Sequence, residues 1–145
     1  MKIIEYQAKD FEILYNLSRK LYPNYSDKDL LRDLKMFVTN KTQRIYLATE
    51  NDNTVGFIMV SIRYDYVEGA SSSPTGYLEA IFIEEAYRGK GIAKLLLEKG
   101  ESWIKSHGCT EMGSDTWLNS QSSIDFHLKL GFEEEDRLVH FIKEI

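Results

Sequence analysis

The sequence predicts a mixed α/β chain, a mostly antiparallel central sheet flanked by about four helices and built as one unit over residues 1–145. Three observations carry that expectation. Short apolar or alternating runs interleave with segments whose apolar residues recur at helical spacing, in the order β-α-α-β-β-β-α-β-α followed by one or two strands. Asn51-Asp52-Asn53 separates two strand-like runs with the composition of a hairpin turn. From Gly76 to His107 an apolar strand passes through a basic glycine loop into an amphipathic helix. With 145 residues, 43% of them apolar, the chain has material for one sizeable core.

Taken in order, residues 2–7 read as a strand. Asp10 is placed to cap a helix whose apolar positions are Phe11, Leu14, Leu17 and Leu21, and Pro23 stops it. Ser26 opens a second helix, with Asp29 three residues on as a weakened capping box, and Leu30, Leu31, Leu34, Phe37 and Val38 as its buried stripe. Residues 44–50 and 54–66 form the hairpin strands, where Gly56 permits a bend or a close backbone approach. The polar stretch 67–75 is either a rim or lid, or a plain connection. Residues 77–83 are the central strand, and the helix after it packs through Ile92, Leu95, Leu96 and Trp103, with small Gly100 between them. A strand at 109–115 and a helix at 120–130 follow, the helix ended by Gly131. Residues 132–136 and 138–144 alternate as final strands.

Composition narrows the partners. A net charge of −5 and a pI near 5.2 argue against nucleic acid or an anionic membrane. They suit a cationic small molecule, and equally an ordinary cytosolic protein. The single cysteine, Cys109, excludes an intrachain disulfide and a multi-cysteine metal site. The three histidines have no metal-ligand spacing, so no metal is expected. The start, MKIIEYQAKDF, lacks a signal-peptide pattern, and no run approaches about 18 apolar residues. A cytoplasmic location follows as the expectation.

Arg88-Gly89-Lys90-Gly91-Ile92-Ala93 carries the clearest chemistry. Unpaired N–H groups and roughly half a positive charge gather at a helix N-terminus, which suits a phosphate. Two glycines let the backbone approach it closely. A dinucleotide fingerprint is not met, because Lys94 stands where G-x-G-x-x-G has its third glycine.

Arg88-x-x-Gly91-x-Ala93, set between an apolar strand and an amphipathic helix and followed by Leu130-Gly131-Phe132, resembles the GNAT superfamily of acetyl-CoA-dependent N-acetyltransferases. A closer resemblance covers most of the chain. Ser61-Ile62-Arg63-Tyr64-Asp65-Tyr66-Val67-Glu68-Gly69, Ser73-Pro74, Gly76, Tyr77-Leu78-Glu79, Cys109-Thr110-Glu111, Ser114-Asp115 and His127 are similar to the aminoglycoside 6'-N-acetyltransferases of the short chromosomal type. The resemblance implies acetyl-CoA as co-substrate, met by the main chain of Ile81, Phe82 and Ile83, with Arg88, Gly89, Lys90, Gly91, Ile92 and Ala93 around its pyrophosphate. It implies contact of Asn119 or Ser120 with the pantetheine arm, a homodimer, and a role in antibiotic resistance. For the aminoglycoside it implies Tyr66, Glu79 and Asp115, Asp136 in place of a glutamate, and Tyr22 in place of a tryptophan. The sequence departs from the pattern at Ser120, where many members have asparagine. Residues 70–73 carry no acid, and His127 stands where many members have tyrosine.

Acetyl transfer needs a neutral amine, since a protonated nitrogen has no lone pair to attack with. Glu79 is placed to accept the proton, directly or through water, and Asp115 to hold the amine or share that role. The plainer alternative is that both only fix strand ends. His127 is either the acid for the departing thiolate or a packed helical residue. Main-chain N–H groups at 82–83 are candidates for the oxyanion. Tyr22, Tyr64, Tyr66 and Trp117 form either a wall for sugar rings or ordinary packing. The acidic run 133–136 either attracts a polycation or is solvated surface. Other acceptors (a polyamine, an amino sugar, a protein N-terminus) and a non-catalytic acyl-CoA-binding module are the competing functions.

Overall fold

The computed structural model describes residues 1–145. Its strands are β1 (Lys2–Glu5), β2 (Gln43–Glu50), β3 (Asn53–Arg63), β4 (Thr75–Ile83) and β5 (Met112–Ser114). Its helices are α1 (Phe11–Leu21), α2 (Asp27–Val38), α3 (Ile92–Ser106) and α4 (Gln121–Lys129). The sheet order is β1-β2-β3-β4-β5; the first four strands are antiparallel, and β5 runs parallel to β4. The mixed, mostly antiparallel sheet with four helices is the architecture the sequence predicts.

Both faces of the sheet are covered, and the strand alternation says by what. Ile58, Val60, Ile62 and Leu78 point to α3, where Ile92, Leu96, Leu97, Trp103 and Ile104 meet them with Cys109. Ile45, Leu47, Phe57, Met59, Ala80 and Phe82 point to α1 and α2, against Leu14, Leu17, Leu30 and Leu34. Each Val, Leu, Ile, Phe or Met among them, fully buried, contributes about 1.5–3 kcal/mol. Two glycines allow the close packing: a Cβ on Gly100 would sit 3.0 Å from Val60, and one on Gly56 only 2.7 Å from the carbonyl oxygen of Phe82. Gly56 therefore serves a close approach.

The β2–β3 turn has two central residues, Asn51 and Asp52, both at positive φ (49° and 66°). That is the backbone twist a tight hairpin requires, and Asn and Asp tolerate it. At α4 the N–H of Phe132 reaches the carbonyl of His127 and that of Gly131 reaches Leu128, with Gly131 at φ +95°. Those are the paired bonds of a Schellman close.

Several expectations are corrected. Residues 132–144 form no strand: the tail runs exposed and pairs with nothing, because alternation makes a strand only where a ladder partner exists. β3 ends at Arg63 rather than 66, since its partner β4 begins opposite at Thr75. The fifth strand shrinks from 109–115 to Met112–Ser114, with Cys109 buried beneath α3. On α3, Leu95 is exposed and Leu97 takes the buried place. Asp10 does not cap α1; it accepts the N–H of Gln7 (2.9 Å) and closes a short turn before the helix. Ser26 does cap α2, accepting from the N–H of Asp29 (3.1 Å).

Candidate active site

The cofactor half is built by what β4 leaves unpaired. β5 pairs with β4 only at Gly76, Tyr77 and Leu78, so from Glu79 to Ile83 the β4 edge on that side is open. Past it, Arg88 folds back and its Nε donates to the carbonyl of Ile83 at 2.8 Å, fixing the loop to the strand end. Gly89 and Gly91 lie at φ +75° and +81°, where other residues are strained, and a Cβ on either would meet open space. The backbone N–H groups of residues 89–94 meet no protein acceptor. Together with the dipole of α3 they form an anion cradle. Asn119 and Ser120 precede α4; Asn119 is exposed and the Ser120 hydroxyl makes no capping bond.

The acceptor half depends on one irregularity. Met59 pairs with Ala80 and Val60 with Leu78, so Glu79 is the extra residue of a β-bulge. Bulges re-aim side chains. Here the bulge turns Ala80 and Phe82 to the α1/α2 face, where Glu79 finds Ser61 and Arg63 of β3. Ser61 Oγ donates to Glu79 Oε1 at 2.5 Å. Arg63 holds both carboxylate oxygens, with Nη2 at 2.9 Å from Oε1 and 3.0 Å from Oε2. The guanidinium lies over the Tyr77 ring, Cζ 3.4 Å from its centroid, and the Tyr77 hydroxyl donates to Asp115. Burial, then that bond to Asp115, pushes the Tyr77 phenol well above the ordinary tyrosine value. Tyr22, just past α1, is also raised, first by burial and then by the nearby charges of Glu79 and Asp115. Arg63 and Tyr77 thus link Glu79 to Asp115, with Tyr22 near enough to feel both charges.

Other predicted residues are placed differently. Tyr66 is largely exposed in the loop after β3, and Trp117 likewise after β5. Asp136 lies in the exposed tail, where it accepts the N–H of Arg137 at 2.7 Å. The acidic run does return to the β3–β4 loop, because Glu135 packs where a Cβ of Gly69 would be. That loop is held as a rim: Glu111 accepts from the N–H and hydroxyl of Ser71 (2.9 Å each) and from Ser72 (3.0 Å). His127 uses both ring nitrogens internally. Nδ1 lies 2.7 Å from the carbonyl of Ser123, an acceptor only, so it carries a proton; Nε2 lies 2.7 Å from Ser114 Oγ. The ring fastens α4 to β5. No group of three or more His, Cys, Asp or Glu side chains is arranged to hold a metal ion, and no helix is long and apolar enough to cross a membrane.

Residues 11–132 match the model of the acetyltransferase (GNAT) family. The chain belongs to that family. An aminoglycoside N(6')-acetyltransferase type 1 of Acinetobacter baumannii is 38% identical over 146 aligned residues, covering 100% of this chain and 97% of that protein. The apo crystal structure of an aminoglycoside 6'-N-acetyltransferase from Acinetobacter haemolyticus superposes with a TM-score of 0.95 at 32% identity, covering 100% of this chain and 99% of that one. A further 6'-N-acetyltransferase, solved with the bisubstrate analogue CoA-S-monomethyl-acetylneamine, gives 0.92 at 33% identity over 99% and 98% of the two chains. Family membership fits the open β4 edge and the free N–H groups of residues 89–94, which suit acetyl-CoA.

Sequence reasoning gave no role to Ser61, Arg63 or Tyr77. Ser61 and Arg63 are two apart on one strand and so share a face, and that was the available signal. What it lacked was the register of β3 against β4, which sets Ser61 and Arg63 beside Tyr77 and Glu79.

Proposed function

We propose that this protein transfers the acetyl group of acetyl-CoA to the 6'-amino group of aminoglycosides. One observation carries the reading. Glu79, at a bulge and linked through Arg63 and Tyr77 to Asp115, lies next to an open strand edge that leads to an unpaired N–H cradle. Acetyl-CoA supplies the thioester. Residues 88–93 hold its pyrophosphate, the open edge at Ile81, Phe82 and Ile83 takes the extended arm, and Asn119 or Ser120 borders it. The Ile83 N–H, which faces the open edge, is the candidate to polarise the carbonyl, whereas Phe82 faces β3 opposite Phe57. Asp115 and Tyr22 bind the cationic sugar, with Tyr66 at the rim and Asp136 adding negative charge. Glu79 takes the proton as the amine nitrogen bonds to the acetyl carbon and the carbon–sulfur bond breaks. His127 holds α4 to β5 beside this site.

A cytoplasmic location and a homodimer complete the reading. The exposed apolar tail and the outer edge of β5, which has no partner strand, are complementary surfaces that a second copy would pair. A panel of kanamycin, tobramycin, spermidine and a peptide N-terminus with acetyl-CoA tests the function, mass spectrometry locating the product. Acetylation at the 6' position is the expected result. Turnover of spermidine without either antibiotic would favour the polyamine alternative instead.

A further inference from the structure

We propose that Arg63 is a positioning residue of the acceptor cleft, fixing which oxygen of Glu79 meets the amine. The inference rests on the acetyltransferase reading above. Glu79 Oε1 is crowded: it accepts from Ser61 Oγ (2.5 Å), Arg63 Nη2 (2.9 Å) and Arg63 Nε (3.1 Å). Oε2 accepts only from Nη2 (3.0 Å) and keeps a lone pair free. The oxygen offered to the substrate is therefore Oε2, and the guanidinium decides it.

The same guanidinium lies 3.4 Å over the Tyr77 ring, and Tyr77 donates to Asp115. Arg63 thereby joins the two carboxylates of the cleft into one rigid array. It also divides their labour. Arg63 cancels the charge of Glu79 locally, whereas Asp115 has only a neutral hydroxyl as partner. Asp115 attracts the cation, and Glu79 supplies an aimed acceptor. A planar fork that stacks on an aromatic face and grips two oxygens is specific to arginine; an ammonium does not reproduce it. Nor is fold stability a sufficient reason for the pair. The Arg63 side chain is 40% exposed, and partly exposed ion pairs add little to stability.

The test uses Arg63→Gln and Arg63→Lys in the full chain. Arg63→Gln should lower acceptor kcat/KM by about tenfold or more, mostly in kcat, with acetyl-CoA KM kept within about twofold and Tm nearly unchanged. Arg63→Lys should recover only part of the loss. In a Glu79→Gln background, Arg63→Gln should cost less than about threefold, because its effect passes through Glu79. Wild-type acceptor kinetics in Arg63→Gln would overturn the proposal, as would an undiminished loss in the Glu79→Gln background or a loss confined to acetyl-CoA KM and Tm. Should Arg63→Gln fail to fold, full wild-type kcat/KM in Arg63→Lys overturns it as well. If the wild type turns over only another amine, the aminoglycoside reading falls, and the same variants are measured with that amine.

Discussion

At the scale of single residues the cleft separates two kinds of acid. Glu79→Gln removes the proposed proton acceptor and should lower kcat by about a hundredfold or more, since general-base catalysis is worth about 10²–10⁴. Asp115→Asn removes the uncompensated charge and should act chiefly on acceptor KM, more strongly at low salt, where screening is weak. Steady-state kinetics at two ionic strengths distinguish them; identical effects of both variants would merge the roles. Tyr77 adds a pH signature. Its folded value lies above the unfolded 10.0, through burial and then the bond to Asp115. The folded state therefore holds this proton more tightly. The stabilisation is fully present below pH 10 and is lost as pH rises through the folded value. Tm should fall above pH 10, and Tyr77→Phe should remove part of that slope; only part, because the Tyr6, Tyr22 and Tyr46 phenols are raised by burial too.

At the scale of elements, the sequence displayed most of what local chemistry decides, the Asp10 cap excepted. The hairpin turn, the Ser26 cap, the Gly131 close and the glycine loop all sit where their residues point, because turns and caps are decided within a few positions. The bulge at Glu79 was invisible for the opposite reason: it exists only in the register between β3 and β4. Simple alternation would send Ala80 and Phe82 to the same face as Leu78, whereas they pack on α1 and α2. The β3–β4 loop illustrates the same limit, since its anchor, Glu111, lies 40 residues beyond Ser71. Hydrogen bonds from Ser71 and Ser72 hold the Glu111 carboxyl below its ordinary 4.5. A lowered value gives stability that is present above the unfolded pKa and lost as pH falls through the folded one. Glu111→Gln should therefore speed proteolytic nicking within 67–75 at neutral pH, and the wild type should approach it as pH falls through the lowered Glu111 value. Equal nicking rates at pH 7 would count against the anchor. In the glycine loop, Gly91→Ala should raise acetyl-CoA KM, as a Cβ at φ +81° strains the cradle at about 1–2 kcal/mol.

At the scale of the whole molecule, the tail is the part whose residues and surroundings disagree. Leu138, Val139, Phe141 and Ile142 alternate with polar neighbours only in part, and Phe141 and Ile142 are 86% and 93% exposed. Four such side chains together in water are unfavourable for an isolated chain, and a run of them beside an unpaired sheet edge is a template for a second copy. Glu135 stays on its own Gly69, so the segment free to reach a partner begins after it. Pairing there would place a partner's chain alongside β5, whose last residue precedes Asp115, and would bring the acidic run of each copy toward an acceptor cleft. Assembly and acceptor binding should then be linked. The full chain should run as a dimer by light scattering at micromolar concentration, and deletion of residues 138–145 should give a monomer that still binds acetyl-CoA. Because residues 88–93 and the open edge of β4 are untouched by that deletion, the loss should fall on acceptor KM. A monomeric full chain, or a truncated one with unchanged acceptor KM, would leave the tail without this role.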